Sequence, residues 1–443
     1  MYILRKVYTN VCRLLLAVVF LFSGFVKAND PLGFQYKLAD YVSAFGLSSY
    51  VSDWSLLLFA IGLATLEFLL GIYLLLGINR SFSSVVVTFF MLVMTPFTLY
   101  LALYNPVSNC GCFGDAIVLD NWETFWKNVV LLVASFSLLC WRKDVLRLIT
   151  HRTEWLISTY SLLYIIIFSV YCLQNLPVFD FRPYSIGTDI AKGMEIPEGK
   201  NPPLYETVYI MEKDGEQREF SENDYPDESW DFVDRRTFLK EEGYIPPIHD
   251  FALIRQQDGV DITQDVLDDE GYTFLMVAYD LEKADDGYSD LFNELYEYSK
   301  FNGYKFYCLT ASSDPYIDTW NDWTGSEYPF CHVDDITLKT MIRSNPGFIL
   351  LKDGIIIKKW SARQVPDEYQ LTSTLDELPI GTLSQEDELT KIIHTLLWFL
   401  LPFAFILFLD RLTNGIITRR LQKLGEFGEK TILTRKINNK EEK

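Results

Sequence analysis

Histidine occurs four times in 443 residues, too few for a His-rich metal site. Charge is scarce as well. Asp, Glu, Lys and Arg make up 22% of the chain against 49% hydrophobic and 15% aromatic residues, so membrane spans come before any other reading. Basic residues are most deficient in the middle: residues 176–390 carry about −27 and the two flanking parts about +7, which sum to the formal −20. That acidic middle excludes the basic face a nucleic-acid partner requires. Cysteine is present in an odd number, seven, at positions 12, 110, 112, 140, 172, 308 and 331. So sparse a set is not a disulfide-dense secreted scaffold.

What is abundant is long apolar runs. Six, at roughly 8–28, 53–77, 82–104, 123–141, 154–175 and 391–410, reach the length of about 20 helical residues that crosses a bilayer. The sixth contains Pro402, which a membrane helix tolerates. Arg5 and Lys6 precede the first run, and Arg80 lies between the second and third. Arg142, Lys143, Arg147 and Arg152 separate the fourth and fifth, and Arg411, Arg419, Arg420 and Lys423 follow the sixth. These basic loops fall on one side and the acidic middle on the other, so both termini are expected in the cytoplasm. The first run is basic then apolar, as a signal peptide is. It runs on into Lys27 and Ala28 without a small-x-small cleavage site, so it is expected to be retained as a span. Residues 29–52, 105–122 and 176–390 then face outward.

Within the outer segment, residues 176–248 are rich in Pro, Gly and acid and read as a linker with a small β-hairpin, in "PLYETVYIM" and "QREFSEND". Residues 249–365 alternate strand and helix. "YTFLMVAYD" and "YKFYCLTAS" are strands, the stretch between them spaces Leu291, Phe292, Leu295 and Tyr298 helically, "DPYIDTWNDWTG" is a short helix, and "GFILLKDGIIIKKW" is a hairpin. The pattern predicts a sheet with helices on both faces. Pro346, in "SNPGFILL", stands where a cis peptide is expected.

The stretch "NCGCFGDAIVL" holds Cys110 and Cys112 around one glycine. Residues i and i+2 approach within disulfide range only on a bent backbone, which Gly111 supplies. A bond closing so small a loop is strained and readily reduced, as catalytic and regulatory disulfides are. Downstream, Asp120 and Glu123 have capping-box spacing before an apolar helix, whose positive end lowers the pKa of a nearby thiol. Two other readings stand beside redox chemistry: a structural turn, and a metal clip in which Asp115 is a third ligand and no fourth closes the tetrahedron. Glu67 lies inside the second span, where a carboxylate is either a functional group or a polar tie between helices. Lys27 reads as a snorkelling residue at the membrane surface, with Asp30 and Lys37. Cys12, Cys140 and Cys172 read as small packing residues, Cys308 as a buried inert thiol, and Cys331 and His332 as neighbours pointing to opposite faces of a strand.

The first 150 residues resemble the DoxX/MauE family of small four-helix membrane proteins, in "FLFSGFVKANDPLGFQYKLADY", "LEFLLGIYLLLG" and most closely "NCGCFGD…NWETFWKNVVLL". The resemblance implies assistance to disulfide formation or redox maturation of extracytoplasmic proteins, and quinone-coupled oxidation among the DoxX relatives. Residues 249–365 resemble a thioredoxin-like domain of the TlpA/peroxiredoxin kind, with Pro346 at the cis-proline position, where a partner would dock. The departure is that "LEKADDG" stands where that family has Cys-x-x-Cys. The whole resembles an extended DoxX-like protein of Bacteroidetes-type bacteria.

The expected molecule is an α-helical membrane protein: a four-helix DoxX/MauE-like bundle plus two further transmembrane helices, with an inserted α/β thioredoxin-like extracytoplasmic domain. Its segments are residues 1–150 (the bundle), 151–176 (the fifth span), 177–248 (the linker and β region), 249–385 (the degenerate thioredoxin-like domain), 386–411 (the sixth span) and 412–443 (a basic cytoplasmic tail). The expected function is thiol–disulfide transfer at the periplasmic face of the bacterial inner membrane. Cys112 exchanges with periplasmic protein thiols or a redox partner, Cys110 resolves, Glu67 handles a proton and a quinone accepts electrons. The alternative is a non-enzymatic membrane scaffold whose outer domain binds a partner. A transporter ranks third for want of an inverted repeat.

Overall fold

The computed structural model describes residues 2–107, 109–213, 216–221, 230–241, 243–383 and 388–441. The chain divides into two compact units, Met1–Phe181 with Gln385–Lys443, and Arg182–Ser384. The expected boundary at 385/386 and residues 222–224 of the expected second hairpin strand lie outside the described residues.

The first unit is helical: α1 (Tyr2–Asn29), α2 (Pro31–Ala44), α3 (Asp53–Leu76), α4 (Arg80–Tyr104), α5 (Asn121–Cys140), α6 (Glu154–Gln174) and, after the second unit, α12 (Glu388–Glu441). Six of these are long and apolar enough to cross a membrane, α1 and α3 to α6 entire and α12 over Leu389–Gly415. They coincide with the six runs in the sequence. Two differences have local causes. The stretch after α1, which the apolar runs leave unassigned, is a helix because Asp30 accepts the Gly33 N–H at 2.8 Å as N-cap and Pro31 pre-sets the first turn. And α12 continues far beyond the apolar run, its helical backbone passing through the whole basic stretch that follows.

α1 and α3 meet backbone to backbone. A Cβ on Gly24 would lie 2.7 Å from the Ala64 carbonyl oxygen and nearer still to the Phe68 nitrogen; one on Gly71 would lie 2.6 Å from Leu21 Cγ. Small residues at a helix interface permit this approach where lipid supplies no hydrophobic drive. Leu16, Phe20, Leu70, Met91, Leu131 and Leu138 fill the core shared with α4 and α5. α6 and α12 add a layer on the α1/α3 side, where Phe399 stands 5.5 Å from Phe68 and 4.7 Å from Tyr164, ring to ring. Pro402 has no N–H to give the Trp398 carbonyl, and the Tyr160 hydroxyl donates to that carbonyl instead, at 3.0 Å. The buried Asp410 carboxylate ties α12 to the start of α6, accepting from the Thr150 N–H at 3.3 Å, the Thr153 hydroxyl at 2.7 Å and the Thr150 hydroxyl.

The second unit holds α7 (Ile190–Met194) and two sheets. The expected hairpin is present as β1 (Leu204–Lys213) and β2 (Glu216–Ser221), and β3 (Asp231–Glu241), not foreseen, pairs antiparallel on the other side of β1. The larger sheet contains β4 (Ile254–Arg255), β5 (Tyr272–Val277), β6 (Lys305–Thr310), β7 (Phe330–His332), β8 (Gly347–Lys352) and β9 (Ile355–Ser361) in the order β4-β7-β6-β5-β8-β9. β5, β6 and β7 run parallel, connected through α9 (Ser289–Phe301) and α10 (Asp314–Thr324), while α8 (Thr263–Leu267) precedes β5 and α11 (Asp335–Met341) leads to β8. β8 and β9 run antiparallel after the cis Asn345–Pro346 bond. A mixed sheet with its closing hairpin after a cis proline is the α/β unit expected from the resemblance. Phe274, Phe292 and Phe348 are fully buried on one side of the sheet, each stabilising the fold by about 1.5–3 kcal/mol.

Candidate functional site

The helical unit gathers three of the four expected site residues. Cys110 and Cys112 are joined as a disulfide across Gly111, with Cα atoms 5.4 Å apart. Gly111 sits at φ +64°, the left-handed bend that a side chain resists, and a Cβ there would lie 2.9 Å from Lys37 Cγ on α2. The turn closes with the Gly114 N–H donating to the Gly111 carbonyl at 3.1 Å. Behind it, Asn121 donates to Asn105 at 2.8 Å and to the Val107 carbonyl at 2.9 Å, which fixes where the loop leaves α4 and joins α5. Asp120 and Glu123 form the expected capping box at the start of α5.

Both cysteine carbonyls are held by side chains from the bundle. The Tyr41 hydroxyl, on α2, donates to the Cys110 carbonyl at 2.9 Å. Burial, with Asp40 beside it, raises the pKa of this phenol, so it keeps its proton. The Ser23 hydroxyl, on α1, lies 2.7 Å from the Cys112 carbonyl and 2.7 Å from Glu67 Oε2. One hydroxyl proton cannot serve both acceptors at once, so Ser23 divides it between the carboxylate of α3 and the backbone of the disulfide loop.

Lys27 corrects the sequence reading. It does not snorkel to a surface; its side chain is 5% exposed and pairs with Glu67, itself 4% exposed. The ammonium donates to Glu67 Oε1 and Oε2 at 2.7 Å each and to Ser23 Oγ at 3.1 Å, so all three of its protons are used. Three polar contacts satisfy a pair that would otherwise be costly in an apolar bundle. The partner lies 40 residues away, on a helix that the Gly24 and Gly71 contacts allow to come near, so the lysine's own neighbourhood in sequence does not reveal it.

Behind the disulfide is a cavity of about 40 Å3, lined on its polar side by Ser23, Lys27, Glu67, Cys112, Lys127 and Asn128. Ser23 and Lys127 were not foreseen. A lysine in the second turn of an apolar helix is itself a signal, but its closeness to the polar start of α5 disguises it as a flank. Cys112 is part-exposed, whereas Cys110 is buried.

The remaining cysteines are elsewhere. Cys12 and Cys172 are buried, as packing residues should be; Cys140, expected to pack, is exposed at the end of α5. Cys308 and Cys331 are both fully buried in the second unit, and burial raises the Cys308 pKa far above the usual thiol range and that of Cys331 to about 12. His332 is part-exposed beside the buried Cys331, so the two point to opposite faces as expected. Pro346 belongs to this unit. The carbonyl before it, Asn345 O, accepts the Asp285 N–H at 2.9 Å, and its own carbonyl accepts the Ser344 hydroxyl at 2.6 Å. Asn345 Nδ2 in turn donates to the Asp280 carbonyl at 2.7 Å. The segment that replaces Cys-x-x-Cys, through Asp285, and Asp280 just before it are thus both hydrogen-bonded to Asn345 of the proline turn.

Residues 5–142 match the family model described as methylamine utilisation protein MauE, which covers α1 to α5 up to the loop after them. Residues 205–242, the smaller sheet, match a domain of unknown function (DUF8463). No curated protein matches the chain. Among solved structures, a provisionally named protein disulfide isomerase from Bacteroides thetaiotaomicron is similar at 15% identity and a TM-score of 0.23, over 27% of this chain and 77% of that one. The thioredoxin-like character of the larger sheet rests on its strand order, not on that likeness.

Proposed function

We propose that this multi-pass membrane protein, whose first five helices are of the MauE type, carries out thiol–disulfide exchange through Cys110 and Cys112 at the periplasmic face of the bacterial inner membrane. Both termini lie in the cytoplasm and Arg182–Ser384 lies outside, in keeping with basic loops on one side of the spans and acid on the other. One observation carries the reading: a disulfide two residues apart is bound through its backbone to a buried Lys–Glu pair in the membrane. A structural staple has no need of that connection.

The exchange balances without a further reactant. A client thiolate attacks Sγ of Cys112, the less buried cysteine; the S–S bond breaks and Cys110 leaves as a thiolate that takes up a proton. A second client thiolate attacks the sulfur of the first, and Cys112 leaves as a thiolate. The client loses two electrons and the pair gains two; run backwards, the same steps reduce a client. In the reduced enzyme Cys110 is the resolving thiol. Glu67 governs the Ser23 proton and so the hold on the loop. Reoxidation by a quinone, which the resemblance implies, needs a seat for the ring, and the cavity behind Cys112 has room for a few water molecules only. Pro346 is a docking point for a partner only if the loop bonded to Asn345 gives way.

The scaffold reading has one observation in its favour: the thioredoxin-like sheet keeps its proline turn but has only buried cysteines. The two readings separate in a Cys110→Ser/Cys112→Ser variant assayed for oxidation of a dithiol peptide and for the redox state of periplasmic thiols. Exchange predicts loss of at least about 100-fold in rate with the protein still folded. An unchanged rate and unchanged client thiols would establish the scaffold.

A further inference from the structure

We infer that Lys127 is the cation that holds Cys112 as a thiolate in the reduced protein, and that it sets which of the two cysteines is the nucleophile. The inference rests on the exchange reading of the same site. Lys127 stands in the second turn of α5, inside a membrane span. A carboxylate is available one helical turn earlier, at the spacing where Glu and Lys pair, but Glu123 turns to its own helix start and accepts the Asp120 N–H at 3.2 Å. Among the described residues Lys127 forms no ion pair. Its ammonium lies 4.2 Å from the centre of the Phe113 ring, beside Cys112, and lines the same cavity as Cys112.

The charges around that cavity do not cancel. α1 contributes Lys27 and α3 contributes Glu67, which neutralise each other. α4 contributes only Phe90, Met91 and Met94. On α2, Lys37 beside the loop is offset by Asp40 at 3.6 Å. The loop's own Asp115 is not on the cavity wall. Lys127 therefore leaves one positive charge in excess in an apolar, weakly screening setting. Such a charge favours an anion on a group of the same cavity wall able to become one, and Cys112, next in sequence to the Phe113 ring that Lys127 covers, is the thiol there. Cys110 is buried and does not line the cavity, so its thiol has no such support. The loop thus holds a part-exposed thiol on the wall that carries the extra cation and a buried one away from it, the division of labour that attack and resolution need.

The test uses the full chain in nanodiscs, in a Cys110→Ser background that frees Cys112. Iodoacetamide alkylation of the Cys112 peptide is followed by mass spectrometry from pH 5 to 10. The parent is expected to show a midpoint well below the value of about 8.5 of an ordinary thiol. Lys127→Met and Lys127→Gln each raise the midpoint by at least one unit, an approximately tenfold slower reaction at pH 7, with the same plateau rate at high pH. Lys127→Arg restores the parent profile. Removing an uncompensated charge from a span does not threaten the fold, and the equal plateau confirms that Cys112 is reached as before. An unmoved midpoint in both neutral variants, or an arginine variant that behaves like methionine, overturns the inference. A shifted midpoint in a protein that never forms mixed disulfides supports the charge assignment while overturning exchange itself.

Discussion

Glu67→Ala is expected to lower the stability of the helical unit by about 3–5 kcal/mol, because it leaves the Lys27 ammonium buried without a counter-charge. The buried pair is held by two 2.7 Å contacts and one of 3.1 Å to Ser23. Glu67→Gln keeps the shape but not the charge and is expected to fall in the same range. Thermal unfolding in nanodiscs, followed by the loss of monodisperse protein, measures both. Removing the two charges together, in Lys27→Met/Glu67→Leu, recovers most of the loss, since a buried pair contributes little net stability over apolar residues of its size. The same double variant stays defective in exchange, because Ser23 then has no carboxylate to divide its proton with. Single variants that cost under about 1 kcal/mol would show that the pair is not sealed from water.

Gly24→Val is expected to be as damaging by a different route. Its side chain would drive into the backbone of α3 at Ala64 and Phe68, which cannot turn aside as a side chain can, so the helices must part. Parting them separates Lys27 and Ser23, on α1, from Glu67, on α3, and strands the buried charges as well as overfilling the interface. A loss of about 3 kcal/mol or more, with exchange falling alongside, is the expected result. Gly62→Ala on the same α3, where an added Cβ meets nothing within 4 Å, is the control. It is expected to be neutral or to stabilise by up to about 1 kcal/mol through helix propensity. The two glycines are indistinguishable in the sequence and opposite in the structure.

The contrast shows which features local sequence can reveal. The six spans, the capping box at Asp120 and Glu123, the left-handed Gly111, the cis Asn345–Pro346 bond and the strands β5, β6, β8 and β9 are written in runs and spacings of a few residues. The features that assemble the site are not. Lys27 at the end of an apolar run resembles every interfacial lysine until Glu67 is set against it. Ser23 is a common residue in a membrane helix, and its two acceptors come from positions 44 and 89 residues away. β3 is not legible because "DFVDRRTFLK" spreads charge over its strand pattern; its partner β1 supplies the order. Cys140 ends an apolar run and so resembles a packing residue, yet it is exposed.

Trapping of mixed disulfides tests the account most directly. The Cys110→Ser and Cys112→Ser variants are each exposed, in nanodiscs, to a peptide containing one disulfide and then quenched with acid. The account predicts a covalent, reductant-labile adduct on Cys110→Ser, where part-exposed Cys112 attacks and no Cys110 resolves it. It predicts at least tenfold less on Cys112→Ser, where only buried Cys110 remains. Equal trapping on both, or none on either while both remain folded, would contradict it.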